Sequence, residues 1–218
     1  MSTVLKRILT GIVLGTGFWF LLLYAPALLF SCILLTILAI ILMFEWPVLC
    51  NIRTCGFWLV MPLYPILPFV LLIALNQQPV YHTLVLMLFV MVSSYDTGGY
   101  LIGSLVGRHK IAPSISPHKS WEGFWAGYLF ASVSLTLLLY ELGAVIYWPA
   151  IISITGIVCA CACLGDLFES WLKRQAGVKD SGSILPGHGG FLDRFDGILG
   201  AAFFFYFFRD TLVALFFA

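Results

Sequence analysis

The sequence predicts an all-α polytopic membrane protein of about seven transmembrane helices with its N-terminus in the cytoplasm. Three observations carry that expectation. Of the 218 residues, 61% are hydrophobic and 10% charged, whereas a soluble domain carries roughly 25% charged residues. Mean hydropathy is +1.04, so too little polar surface exists to face water on all sides. The apolar residues also fall in runs near the length that crosses a bilayer, about 20 residues, broken by short polar stretches. No separate soluble domain fits between them.

The first run, 8–24, follows Lys6 and Arg7. A secretory signal begins the same way, and Ala25-Pro26-Ala27 loosely resembles a cleavage site. The run is longer than a signal core and a second apolar segment follows at once, so a retained span is expected. That second span, 26–44, ends at Glu45-Trp46-Pro47. The third, 57–75, holds Pro62, Pro65 and Pro68, which predicts a kinked or broken helix. Asn76-Gln77-Gln78-Pro79 is a turn. The fourth span, 81–106, carries Asp96, and 107–120 is a polar loop. The fifth and sixth spans are 121–142 and 144–171. The seventh, 191–208, is followed by Arg209-Asp210 and an apolar stub.

All but Arg209 of the 11 lysines and arginines fall on the N-terminal side of this arrangement. The positive-inside bias therefore puts every polar loop in the cytoplasm and the C-terminus outside. Glycines four apart (Gly11/Gly15, Gly99/Gly103/Gly107, Gly123/Gly127) let helix backbones approach closely in lipid. Packing within one subunit is the simpler reading, and a homodimer face is the alternative. The six cysteines, Cys32, Cys50, Cys55, Cys159, Cys161 and Cys163, lack the spacing of a metal site or a disulfide framework. They read as small packing residues.

Polar chemistry is concentrated in one interval. Asp166 closes the sixth apolar run, Glu169 follows three residues on, and Asp193 and Asp196 repeat that spacing at the start of the seventh. Residues three apart share a helix face. A charge at bilayer depth costs roughly 2.5–3.5 kcal/mol on insertion scales, so each carboxylate needs a partner or a wet cavity. If the two helices pack side by side, three aspartates converge, and hard oxygen ligands of this kind suit Mg²⁺ with substrate phosphates. The alternative is an internal ion-pair network with Lys173, Arg174 and Arg194. Pro186-Gly187-His188-Gly189-Gly190 leads into a helix start, where backbone N–H groups attract anions; a solvated loop histidine is the plainer reading of His188. The fourth-fifth loop adds Arg108, His109, Lys110, His118 and Lys119 beside the Asp96-Thr97-Gly98-Gly99 stretch. No Walker-type loop or Gly-x-Ser-x-Gly elbow is present, which argues against a soluble-type nucleotidase or serine hydrolase.

Ser170, Lys173, Arg174, Lys179, Asp180, His188, Gly189, Gly190, Asp193, Arg194 and Asp196 resemble, without a gap, the defining motif of the phosphatidate cytidylyltransferases. Gly165-Asp166-Leu167 and the segment from Ile115-Ser116-Pro117 to Glu122-Gly123 are also similar, so the likeness runs from about Asp96 to Asp196. The resemblance implies transfer of the cytidylyl group of CTP to phosphatidate, giving CDP-diacylglycerol and pyrophosphate. It makes 81–218 the catalytic transmembrane domain, with cytoplasmic loops 107–120 and 172–192, behind N-terminal helices over 1–80. It implies Mg²⁺ on Asp166, Asp193 and Asp196, with a monovalent second cation left open. Lys173, Arg174, Lys179 and Arg194 would offset phosphate charge, and the His188-Gly189-Gly190 turn would bind substrate. Lys119 and His118 would meet the lipid headgroup. Ser170 is left between bonding a phosphate or metal-bound water and capping a helix, and Asp96 between supporting the ligands and a structural role. The expected partners are CTP, phosphatidate and the bilayer, with a homodimer as an option and no nucleic acid. The expected location is a bacterial inner membrane with the active site facing the cytoplasm. A cytidylyltransferase for another lipid phosphate, and an ion-coupled transporter using Asp96, Asp166 and Asp196, are the competing readings; no two-fold repeat supports the transporter.

Overall fold

A computed structural model describes residues 15–50, 55–185, 187 and 189–217. Helix α1 is described over Gly15–Tyr24, so most of the expected first span lies outside the described residues. There follow α2 (Ala27–Leu49), α3 (Gly56–Gln77), α4 (Pro79–Val106), α5 (Trp121–Glu141) and α6 (Trp148–Gln175), all long and apolar enough to cross a membrane. Helices α7 (Leu192–Phe207) and α8 (Arg209–Phe217) are bent by 78° and make a sixth crossing if they count as one. The described residues thus carry five or six spans where seven were expected over the whole chain. The chain is an integral membrane protein.

Three boundaries differ from the sequence expectation. The polar stretch 107–120 is a short hairpin, with β1 (Lys110–Ala112) antiparallel to β2 (Ser116–Ser120). Strands this short, with Pro117 on a ladder edge, leave no alternating pattern to read. Helix α6 begins at Trp148 rather than near 144, because Gly143 takes a positive φ of 64° and Pro149 sits in the first turn, where its missing N–H costs nothing. At its other end α6 continues to Gln175, so Lys173 and Arg174 ride on a helix and not on a loop. It stops in a Schellman turn: Gly177 has φ 71°, its N–H meets Arg174 O at 3.1 Å, and Val178 N meets Lys173 O at 2.9 Å.

The proline-rich third span is broken as expected. Tyr64 leaves helical geometry (φ −154°, ψ 114°) inside a wide turn over Pro62–Ile66. A second wide turn, Ile41–Glu45, interrupts α2. Such turns add a residue to the helix and re-aim the side chains that follow.

Helix α4 lies at the centre, against α3, α5, α6 and α7. Phe89 on α4 meets Phe18 of α1 at 4.9 Å and Phe195 of α7 at 6.1 Å, while Phe69 of α3 meets Phe195 at 5.3 Å. These rings tie the N-terminal helices to the last span. Large apolar residues on the outside, Leu59, Leu105 and Leu129 among them, are exposed as a lipid-facing surface requires. The glycines on α4 and α5 pack these helices inside this subunit: a Cβ on Gly103 would stand 3.2 Å from Gly123 Cα, and one on Gly123 would stand 2.9 Å from Gly99 O. Gly11 lies outside the described residues, and a Cβ on Gly15 would meet nothing within 4 Å. A second crossing, unmarked by any four-residue spacing, joins α6 to α7 through Gly165 and Gly200. A Cβ on Gly200 would lie 2.9 Å from Gly165 Cα.

Gly200→Ala is therefore expected to lower thermal stability in detergent by about 1–3 kcal/mol, the usual cost of overpacking. At Gly156 an added Cβ meets only Tyr128 at 3.8 Å, so Gly156→Ala should be neutral or stabilising by up to ~1 kcal/mol through helix propensity. Equal unfolding temperatures for the two variants would contradict the α6–α7 crossing.

Candidate active site at the polar end of the bundle

The charged segments that stand apart in the sequence meet at one end of the helices. A cavity of about 350 Å³ opens there between α4, the hairpin, α6 and α7. Asp96, Asp166, Asp193 and Asp196 line it together with Lys119 and Arg194. Tyr95, Tyr100 and Phe124 form an apolar wall on one side.

The Gly165–Gly200 crossing sets the carboxylates on α6 and α7. With no side chain on Gly165, the Asp196 backbone comes directly against it, which brings Asp166, the next residue, to the level of Asp196. Lys119 Nζ from β2 stands 2.6 Å from Asp166 Oδ2, and Ser170 Oγ donates to Asp166 Oδ1 at 3.2 Å. Asp196 Oδ1 accepts from Gly197 N at 2.7 Å. Among the described residues no hydrogen bond or ion pair reaches Asp96, which is exposed. Asp96 and Asp196 thus keep carboxylate oxygens free toward the cavity.

Beside this group lies a second, partnered mostly within the chain. Lys173, nearly buried, bridges Glu169 Oε2 at 2.7 Å and Asp193 Oδ1 at 2.8 Å. Glu169 is fully buried, and its Oε1 has no partner among the described residues. Asp193 also accepts from Ser181 N and Oγ, both at 3.0 Å, and from Gly190 N at 2.7 Å. Glu45 of α2, fully buried, accepts from Phe191 N at 2.7 Å, Leu192 N at 2.8 Å and Ser181 Oγ at 3.1 Å. The N–H groups at the start of α7, where the sequence suggested an external anion, are met by two carboxylates of the chain itself.

The remaining expected residues are dispersed. Arg174 is exposed and ties the hairpin to the following loop, donating to Ile115 O at 3.1 Å and Val178 O at 3.3 Å. Lys179 is exposed and does not line the cavity. His118 is exposed and lines it. Gly189 takes a positive φ of 83°, and a Cβ on Gly190 would stand 2.6 Å from Glu45 Cδ. His188 lies outside the described residues. Sequence reasoning passed over Glu45 and Ser181. The available signal was an isolated carboxylate in a span of mean hydropathy 2.9, which has to find donors.

Among the described residues no three His, Cys, Asp or Glu side chains stand together as a metal cluster. A Mg²⁺ ion needs only one or two protein carboxylates when substrate phosphates complete its shell. Asp166 and Asp196 fit that requirement, since both face the cavity and a cation, Lys119 Nζ, already stands on Asp166. Asp193 fits less well, because its oxygens already serve Lys173, Ser181 and Gly190.

The sequence model of the cytidylyltransferase family matches residues 49–212. A phosphatidate cytidylyltransferase of Rickettsia bellii is 36% identical over 204 residues, covering 91% of this chain and 87% of that protein. The phosphatidate cytidylyltransferase of Mycobacterium leprae is 46% identical over 117 residues, 53% of this chain and 36% of that protein. One from Staphylococcus aureus is 47% identical over 116 residues, 53% of this chain and 44% of that protein. The chain thus aligns with less than half the length of the last two.

Removing Lys173 leaves Glu169 and Asp193 buried without their shared cation. Lys173→Met should cost about 3–5 kcal/mol, read from unfolding in detergent, and adding Glu169→Gln should recover part of it. A Lys173→Met protein as stable as the wild type would show that the bridge does not hold these helices.

Proposed function

The chain belongs to the cytidylyltransferase family, and from that premise we propose that it transfers the cytidylyl group of CTP to phosphatidate, forming CDP-diacylglycerol and pyrophosphate. The observation that carries this reading is the single cavity in which Asp96, Asp166 and Asp196 face Lys119 and Arg194 beside an apolar wall. A nucleotide triphosphate with its metal needs the carboxylates and cations. A lipid phosphate needs a cation next to an apolar exit.

The phosphate of phosphatidate is already an anion, so the nucleophile needs no strong base. One of its oxygens attacks the α-phosphorus of CTP. The bond from that phosphorus to the bridging oxygen of the β-phosphate breaks, and pyrophosphate leaves with the electron pair. The protein's contribution is to position the two phosphates and neutralise their charge. Asp166 and Asp196 would hold Mg²⁺, whose chemistry when bound is Lewis-acid neutralisation of phosphate oxygens. Ser170 steadies Asp166 through its hydrogen bond. Lys119, released from Asp166, and the adjacent His118 meet the lipid phosphate. Arg194 on the cavity rim takes the triphosphate. Lys173 and Asp193 act as positioning residues that hold this loop to α6 and α7. Tyr100, exposed, and Phe124 mark the side on which the acyl chains leave for the bilayer. The cations of the flanking segments orient this end toward the cytoplasm, where CTP is found, in the inner membrane of a bacterium.

A pyrophosphate-release assay on detergent-purified protein tests this. Release should require CTP, phosphatidate and Mg²⁺ together and stop on chelation. Asp166→Asn and Asp196→Asn should each lower kcat on the order of 10²-fold, as for loss of one electrostatic element of a transition-state site. Undiminished release after chelation, or wild-type kcat in both variants, would overturn the assignment.

A further inference from the structure

Glu45 takes no part in the mechanism above, and it lies ahead of the stretch matched by the family, residues 49–212. Yet it is fully buried and bonds partners more than a hundred positions away in sequence. A carboxylate in an apolar span carries a standing free-energy cost. Here that cost is offset by three donors that converge on the start of α7.

The first N–H groups of a helix have no partner within it. At the start of α7 they are buried inside the bundle, and a carboxylate is the strongest acceptor available there. Glu45 Oε1 takes Phe191 N and Oε2 takes Leu192 N. Ser181 Oγ stands 3.1 Å from Glu45 Oε2 and 3.0 Å from Asp193 Oδ2, so one hydroxyl proton serves two carboxylates and couples them. The backbone closes directly over this point: a Cβ on Gly182 would lie 3.1 Å from Glu45 Cγ. The wide turn Ile41–Glu45 is where α2 departs from regular helix as it delivers the carboxylate. One turn further along α7 comes Asp196, and Asp193 and Arg194 lie between.

We propose that Glu45 is a positioning residue for the reaction: it fixes the first turn of α7 and the loop before it, and so holds Asp193, Arg194 and Asp196 in register with Asp166 across the cavity. The N-terminal helices thereby belong to the working unit and do more than anchor it. The kinetic part of this inference rests on the cytidylyl-transfer reading; the structural part does not.

Glu45→Gln keeps size and shape but replaces one acceptor oxygen with an NH₂ group that confronts an N–H donor. Glu45→Asp keeps the charge on a shorter arm. Hydrogen exchange followed by mass spectrometry reads the structural part without any substrate. In Glu45→Gln, amides in 181–195 should exchange roughly tenfold faster, as for a local opening, while 121–141 exchanges as in the wild type. In the pyrophosphate assay, Glu45→Gln should lower kcat by ~10²-fold, the scale of a small misplacement of reacting groups. Both KM values should stay within about threefold, since uniform binding is not what is lost, and Glu45→Asp should restore part of kcat. Unchanged exchange in 181–195, or equal acceleration throughout the chain, would overturn the positioning role. Wild-type kcat in Glu45→Gln would do the same. A wild-type protein that releases no pyrophosphate would overturn the reaction assigned above, and the exchange result would still decide for or against Glu45.

Discussion

A helix that begins inside a protein in a membrane must find acceptors for its first N–H groups from the protein itself, because neither lipid nor bulk water supplies them. At the start of α7 this requirement is met by Glu45 and Asp193, which between them take the N–H groups of Gly190, Phe191 and Leu192. Much of the polar end of the molecule follows from that. Asp193 needs a counter-charge, which Lys173 provides from α6, and Lys173 in turn brings in Glu169. Ser181 and Gly190 pack against the same carboxylates, so the loop between α6 and α7 is drawn down over them.

The carboxylates thus divide into two groups with different surroundings. Glu45 and Glu169 are enclosed, and Asp193, though on the cavity wall, has its oxygens taken by Lys173, Ser181 and Gly190. Asp96, Asp166 and Asp196 open onto the cavity and retain capacity for something from outside. The supply of donors within the chain decides which group a carboxylate joins. An enclosed charge is held by fixed donors and stabilises one arrangement, whereas one facing a wet cavity can exchange a lysine for a metal or a phosphate. Lys119 on Asp166 and Lys173 on Asp193 look alike as ion pairs. Both pairs border the cavity, and they differ in that Asp193 also takes Ser181 and Gly190 as donors whereas Asp166 has only Ser170 besides its lysine.

Backbone proximity supplies the precision such a site needs. Two glycine crossings, Gly103 with Gly123 and Gly165 with Gly200, bring α4 to α5 and α6 to α7 at distances no side chain would permit. The first crossing seats the hairpin beside α4, and the second aligns Asp166 with Asp196. Because both lie within a turn or so of the charged residues, small errors there would reach the cavity directly.

Membrane character, the break in the third span and the segments whose charges gather at one end were all legible in the sequence, because each rests on local composition: apolar runs, prolines within one run, and a dense polar interval. The glycines spaced four apart could be read for the same reason. Glu45 could not, since its meaning depends on partners at Ser181, Phe191 and Leu192 that only the tertiary fold brings near. The division of labour between Asp193 and Asp196, identical in type and three residues apart, was equally hidden. Sequence spacing put both on one helix face. The tertiary structure set one among the donors of the preceding loop and left the other with a single backbone donor, because hydrogen-bond supply is a property of neighbours and not of the residue.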